Sequence, residues 1–473
     1  LIFTIAITGI MVHFARLIGL PLITYTIYVI HVAICVGMLM IMLPFGKLSH
    51  LMYRPLAIFL MAVKEKALKQ SQVTQERIAT AIGETFKTCM QCGTCTGVCP
   101  SVNIAGYSPR LVLRNIALDR NNDVNVDTAS WSCVTCNSCV ASCPRGIGIV
   151  DLVKSIRQQT VNGGLLAAAL ASPVASLKKN GNPWNGKSQD RTKWVGSLPL
   201  PVFNKDKEYC LFSCCTTAYD QQGQRGSEKG GRALVKLLEI GQVSYGSLGT
   251  AEVCCGDQPE KMGAEAVNTA LVEKNSQLFL DQGVRTLLTV SPHCLNSFSK
   301  NYPQLQGKVT TEHYTDLLAR LIDSASLTPL THVKAKVTYH DPCYLGRHNG
   351  LYEAPRRILK SIPGLTLIEM QNSGQRSLCC GGGGGGAWHI RPMDENHGVT
   401  RVKEAMATGA SIIATACPFC IRMLNEAIAK LGVANKIQVR DVAELLLQSV
   451  EVSYGSDTHT GTTRSATQEE QHV

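Results

Sequence analysis

Apolar and polar positions divide this chain unevenly. Residues 2–18 and 22–45 are two almost uninterrupted apolar stretches, separated by Gly19-Leu20-Pro21. The second is long enough to cross a hydrocarbon core of about 30 Å, which takes roughly 20 helical residues. The first is shorter and carries His13 and Arg16, so it is expected to end at a membrane interface. Lys47, Arg54, Lys64, Lys66 and Lys69 follow, and the positive-inside rule puts everything after residue 46 in the cytoplasm. Beyond residue 200 the pattern changes. Short β-prone runs at Glu208–Ser213, Val284–Cys294, Val333–Cys343 and Ala410–Cys420 each deliver a cysteine and precede a helical pattern. That alternation predicts a parallel α/β layout with thiols at strand C-terminal ends. Residues 161–206, rich in Gly, Pro, Asn and Lys, read as a linker, and the polar tail 451–473 reads as disordered. The chain opens at Leu1 inside an apolar run, with neither the charged start nor the cleavage site of a signal peptide. It therefore reads as the C-terminal part of a longer protein with earlier transmembrane helices.

The cysteines sharpen this picture. Cys89, Cys92, Cys95 and Cys99 repeat 44 residues later as Cys133, Cys136, Cys139 and Cys143. Cys215, Cys254, Cys255 and Cys294 return 125 to 128 residues later as Cys343, Cys379, Cys380 and Cys420. In a reducing compartment such arrays favour metal over disulfides. A Cys-x2-Cys-x2-Cys-x3-Cys-Pro run closes three thiolates around one face of a cubane and sends the fourth to a neighbouring cluster. That assigns Cys89, Cys92, Cys95 and Cys143 to one 4Fe–4S cubane, and Cys99, Cys133, Cys136 and Cys139 to another. Zinc, which arrives as two CxxC pairs, fits poorly. The formal charge of +11 is no pointer to nucleic acid. Each four-thiolate cluster brings about −2, and no aromatic-plus-basic motif is present. No GxGxxG follows a strand, so any flavin or nicotinamide belongs to a partner.

In the second copy, Cys343, Cys379, Cys380, Cys417 and Cys420 exceed what a cubane needs, and adjacent Cys379 and Cys380 suit bridging two irons. The glycines of Gly381–Gly386 are expected to approach closely and offer amides to sulfur. The first copy departs: Ser291 stands where a cysteine should. Cys215, Cys254, Cys255 and Cys294 remain as a further cluster site, and three readings stay open. Cys214 substitutes, four thiolates hold an ordinary cubane, or the site is empty. Cys35 and Cys210 are left over. Of His293, His340 and His389, we take His340 and His389 as candidate proton donors to departing thiolates. His31 and His50, nineteen positions or roughly 28 Å of helix apart, are candidate ligands of two different haems.

Several of these stretches resemble known families. The run HVAICVGMLMIMLPFGKLSHLMYRPLA (His31–Ala57) resembles the last helix of the cytochrome b subunit of respiratory nitrate reductases. That resemblance implies haem b on His31 and His50. The widely spaced double cysteine run resembles the all-helical ferredoxin of fumarate-reductase iron–sulfur subunits and heterodisulfide reductases. The second-copy pattern is similar to the cysteine-rich CCG domain of heterodisulfide reductase catalytic subunits. Related subunits of the membrane complex for dissimilatory sulfite reduction, and fused oxidoreductases linking electron-transfer flavoprotein to menaquinone, share it. The resemblance implies a non-cubane 4Fe–4S cluster on Cys343, Cys379, Cys380, Cys417 and Cys420, where a disulfide is cleaved or formed one electron at a time.

The expected fold class is transmembrane α-helices, then an all-α two-cluster ferredoxin domain, then duplicated α/β CCG domains. Expected boundaries are 1–69, 70–160, 161–206, 207–330, 331–450 and 451–473. The expected activity is an oxidoreductase, multi-pass in the inner (cytoplasmic) membrane, passing electrons between quinone and a cytoplasmic thiol or disulfide. An electron-transfer-flavoprotein:quinone oxidoreductase is the alternative, and a non-redox zinc or scaffold protein the remaining one.

Overall fold

The computed structural model describes residues 2–37, 53–61, 83–102, 107–117, 130–220, 226–389, 392–393 and 396–455. The chain forms two compact units, one of residues 1–94, 110–124 and 144–148, the other of the remainder.

In the first unit, α1 (Ile2–Leu17) packs against α2 (Pro21–Gly37). Gly19 turns the chain between them at φ +75°. Pro21 opens α2, where its fixed φ suits the first helical position. The expected membrane span over 22–45 does not appear. Among the described residues no helix is long and apolar enough to cross a membrane. The described part of α2 has 17 residues, roughly 25 Å of rise, against the about 30 Å required. The transmembrane part of the expected fold class is thereby overturned. Residues 38–45 of the expected span, and His50, lie outside the described residues.

The second unit takes the cysteine segments 95–109 and 125–143 and continues with α4 (Ile149–Asn162); α3 (Pro109–Ala117) lies between those segments in the chain and, from residue 110, belongs to the first unit. Between residues 83 and 143 every described element is helical. The backbone carries the 44-residue repeat too: Gln91 and Thr135 both take positive φ inside their Cys-x2-Cys loops. Within the expected linker, α5 (Ala168–Asn180) buries Leu170 and Leu177 one heptad apart, and Gly181 ends it in the left-handed conformation.

Two four-stranded parallel sheets follow. The first has order β2-β1-β3-β4, from β1 (Tyr209–Phe212), β2 (Tyr245–Gly246), β3 (Thr286–Thr289) and β4 (Thr310–His313). The second repeats it as β6-β5-β7-β8, from β5 (Ala335–Tyr339), β6 (Leu365–Leu367), β7 (Ile412–Thr415) and β8 (Gln438–Asp441). Their helices are α6 (Ser227–Ile240), α7 (Glu265–Asp281), α8 (Pro292–Lys300), α9 (Tyr314–Asp323), α10 (Glu353–Ser361), α11 (His397–Ala407), α12 (Pro418–Leu431) and α13 (Val442–Gly455). All of β1 is buried, as strands covered on both faces must be. One core joins the copies, with Leu211, Leu234 and Leu288 from the first beside Val337, Leu359 and Leu446 from the second. Each fully buried leucine contributes about 2 kcal/mol relative to exposure. The shared core therefore makes the duplicated copies one folding body.

Candidate functional site

The thiols of both copies sit where the parallel strands end. After β5, β6 and β7 the chain delivers Cys343, the Cys379-Cys380 pair, and Cys417 with Cys420. These five are buried and linked sulfur to sulfur. Cys343 Sγ lies 4.0 Å from Cys379 Sγ, and Cys380 Sγ 3.4 Å from Cys420 Sγ. Cys379 and Cys380 contact each other, and Cys420 contacts Cys417. The Gly381 amide donates to Cys379 Sγ at 3.3 Å. Cys380 is held far below the usual thiol range by hydrogen bonds with Cys379 and Cys420. Burial alone would raise Cys417, but hydrogen bonds with Cys420 and His293 bring it down to about 6. A ring nitrogen of His340 and the sulfurs of Cys380 and Cys420 all lie within 4.8 Å of one another. His340 Nδ1 accepts from Arg401 Nε at 3.0 Å, which leaves the ring proton on Nε2. Burial foremost holds His340 below its ordinary range. His389 is half-buried after the Gly386–Trp388 turn and is not in that group.

This arrangement fits an iron–sulfur cluster. Five clustered, dry sulfurs, two already favouring the thiolate, form a soft donor set suited to iron–sulfur chemistry. In the ferredoxin segment, Cys95, Cys99, Cys133, Cys136 and Cys139 act on one another within the second unit and form one thiol group there. Cys95 and Cys143 belong to the same unit, whereas Cys89 and Cys92 belong to the first, where Gln91 and Thr94 contact their sulfurs.

The two thiol groups of the second unit meet. Cys136 hydrogen-bonds Cys379, and Val134, Cys136, Cys343, Tyr344 and Cys379 form one buried cluster. Arg347 Nε donates to the Cys136 carbonyl at 2.7 Å, and Tyr344 pairs its hydroxyl with that of Thr135 at 2.9 Å. The glycine run makes this approach possible. A Cβ on Gly383 would lie 2.6 Å from the Val134 carbonyl, and one on Gly384 would meet Cys133 and Thr135. Only one of the glycine amides meets the expectation of a donor to sulfur in the described contacts; Gly383 and Gly384 are small so that two loops can touch. Arg157, fully buried on α4, ties the seam by donating to the carbonyls of Ser130, Cys133, Lys261 and Gly384 at 2.5 to 3.1 Å.

Sequence reasoning set His293 aside, yet it belongs to this site. It comes from the first copy, and its ring hydrogen-bonds Cys417 of the second. Nδ1 lies 2.7 Å from Asp257 Oδ2, and Asp257 in turn pairs with buried Lys261 at 2.9 Å. Burial works against the imidazolium, but Asp257 more than compensates and holds His293 up to about 10. The signal was in the repeat: His293 stands where the second copy has Phe419, a polar residue in place of an apolar one.

In the first copy Cys214, Cys215, Cys254, Cys255 and Cys294 share one buried cluster. Arg191, bonded to Glu252 at 3.0 and 3.1 Å, places a buried cation beside Cys215. Cys210 lies in β1, paired with Gly246 and Leu287. In the first unit, Thr8 Oγ1 is 2.8 Å from His31 Nδ1 and Cys35 Sγ 3.6 Å from His31 Nε2. Both ring nitrogens of His31 are thus engaged within the helix pair.

Comparison with known proteins agrees with this geometry. Residues 209–299 and 337–425 each match the cysteine-rich (CCG) domain, and residues 85–147 match the 4Fe–4S dicluster domain. A probable iron–sulfur-binding oxidoreductase, FadF, of Bacillus subtilis is 28% identical over 91% of this chain and 71% of its own length. EtfAB:quinone oxidoreductase of Syntrophomonas wolfei is 31% identical over 70% of this chain, which spans 48% of that relative. A component of the dihydromethanophenazine:CoB–CoM heterodisulfide reductase of Methanosarcina barkeri is 29% identical over 77% of this chain and 94% of its own. With a 4Fe–4S dicluster domain, paired cysteine-rich domains and relatives of this kind, the chain is an iron–sulfur oxidoreductase similar to heterodisulfide reductases.

Proposed function

We propose that the second cysteine-rich copy is the catalytic centre, interconverting a disulfide and two thiols, and that the dicluster segment wires it to an electron partner. The observation that carries this is the contact between Cys136, in one thiol group, and Cys379, in the other. Electron transfer needs its centres close, and the small residues at 383 and 384 keep the two loops in backbone contact. Cys343, Cys379, Cys380, Cys417 and Cys420 would hold a non-cubane 4Fe–4S cluster, with cubanes on the ferredoxin cysteines. Bound there, the cluster supplies the one-electron steps that a two-electron disulfide reduction requires. The protein's own residues supply the rest: disulfide plus two electrons plus two protons gives two thiols, and the protons need donors. His293 and His340 are placed at Cys417 and at Cys380 with Cys420 to give them. Arg347, whose charge is favoured by Cys136, Cys343 and Cys379 although burial opposes it, offsets thiolate charge at the seam.

The electron partner we propose is quinone-linked, at the cytoplasmic face of the inner membrane. The outward apolar side chains of α1 and α2, such as Phe3 and Leu22, support an apolar neighbour there. A second reading, electron-transfer flavoprotein as donor, is favoured by the 31% identity to a protein named for EtfAB and quinone. Electron paramagnetic resonance of the oxidised protein tests the catalytic assignment. Added thiol should produce a new signal in the full chain, and Cys379→Ser should lose it together with at least about 1000-fold of disulfide turnover, as when one member of a concerted site is removed. An unchanged signal in that variant sinks the assignment.

A further inference from the structure

Ser291 and Cys417 hold the same place in their copies. Each follows a strand, β3 or β7, and precedes a proline that opens a helix, α8 or α12. Ser291 is committed to its helix: its side chain accepts from the His293 amide at 3.3 Å. Serine is among the preferred residues for that cap. Cys417 makes no cap bond and turns its sulfur to Cys420. The first copy has therefore exchanged a thiol for a cap.

It has also gained a thiol. Cys214 stands where the second copy has Pro342. It adopts φ +63°, a region that side-chain-bearing residues seldom enter and proline cannot reach. The turn brings a buried sulfur to Cys294 and Ser291, the neighbourhood that a cysteine at 291 would have served. The remaining sulfurs close the ring. Cys254 contacts Cys215 and Cys255, and Cys255 contacts Cys294. The backbone beneath is built and rigid: Asn275 holds the Cys254 carbonyl at 3.0 Å, and Ser297 and Tyr302 hold that of Cys255 at 2.6 and 3.1 Å.

We propose that the first copy is a second five-thiolate iron–sulfur site in which Cys214 replaces the cysteine absent at position 291. This goes beyond the catalytic assignment of the second copy, which neither requires it nor is required by it. Each of the five thiols gives up its proton on binding iron, and Arg191 beside Cys215 offsets part of the resulting charge.

Full-length protein purified anaerobically tests it by iron analysis and Mössbauer spectroscopy, independent of turnover. Cys214→Ser should lose about four irons per chain, one cluster's worth, with the corresponding Mössbauer component. Cys210→Ser, altered in a strand, should keep both. Cys214→Ser combined with Ser291→Cys should restore the iron, because the thiol returns to the same neighbourhood from position 291. Wild-type iron and spectrum in Cys214→Ser would overturn the proposal. Should that single variant not fold, the double variant decides: folded with full iron supports the proposal, folded without it overturns it. Loss of the thiol-dependent resonance with full iron would instead strike the catalytic reading alone.

Discussion

The two cysteine-rich copies share strand order, thiol positions and one core, yet they differ at the few places where chemistry is decided. The second ends its Cys-Cys pair in six glycines and leans on the ferredoxin loop; the first follows its pair with Gly256 and the charged helix Asp257–Lys261. The second offers Cys417 to the site, whereas the first spends Ser291 on a helix cap. Position 293 is histidine in the first copy, and its counterpart Phe419 is apolar in the second. The lesson is a division of labour on a repeated frame: the first copy supplies a cation to the second copy's site, and the second touches the ferredoxin loop.

That division breaks most visibly at His293. His293→Phe gives the first copy the second's residue and removes the proton donor at Cys417. We expect disulfide turnover to fall about 100-fold, the lower end for losing a positioned acid, with iron content unchanged. The reciprocal change elsewhere in the repeat should not rescue it, since Asp257 and Lys261 have no counterpart beside Phe419. Turnover within threefold of wild type would mean that His293 only packs against Tyr344, on which it stacks at 3.9 Å.

The glycine seam should respond next. Gly383→Ala puts a methyl 2.6 Å from the Val134 carbonyl, which must move. Overpacking of this kind costs about 2 kcal/mol, and the moved loop carries Cys136. Freeze-quench resonance should therefore show slower arrival of electrons at the second copy, and the urea midpoint should drop. A lower midpoint with unchanged arrival would separate packing from wiring and would weaken the assigned path.

Much of this was legible in the cysteine register alone. Two repeats of 44 and about 126 residues located both thiol arrays and the strand ends that carry them. What the pattern concealed was contact between distant segments. His293 reaches a thiol 124 residues away, and Gly383 faces a loop some 250 residues earlier, partners that no local periodicity can pair. The membrane span failed for a different reason. Apolar composition was counted straight through to residue 45, of which residues 38–45 lie outside the described residues, and among the described residues no helix is long and apolar enough to cross a membrane.

The weakest expected effect is also the one that most directly opposes the copies. His313 and Asp441 end equivalent strands, β4 and β8, and each side chain accepts from the amide two residues on, Thr315 or Ala443. Burial lowers His313 to about 3 and raises Asp441 to about 7, the latter against a 2.6 Å hydrogen bond from Tyr314. Folded Asp441 keeps a proton that the unfolded chain releases near pH 4, so its contribution is full below that and fades as pH rises to about 7. Folded His313 refuses a proton that the unfolded chain takes near pH 6.5, so its contribution is full above that and fades as pH falls to about 3. Between about pH 4 and 6.5 the two slopes oppose, each limited to about 1.4 kcal/mol per pH unit for one proton. Across that window Asp441→Asn should make the unfolding free energy rise with pH more steeply than in the full chain, and His313→Gln less steeply, each by roughly 1 kcal/mol per unit in anaerobic urea titrations. Equal slopes in both variants would show that these strand ends do not titrate as their burial demands.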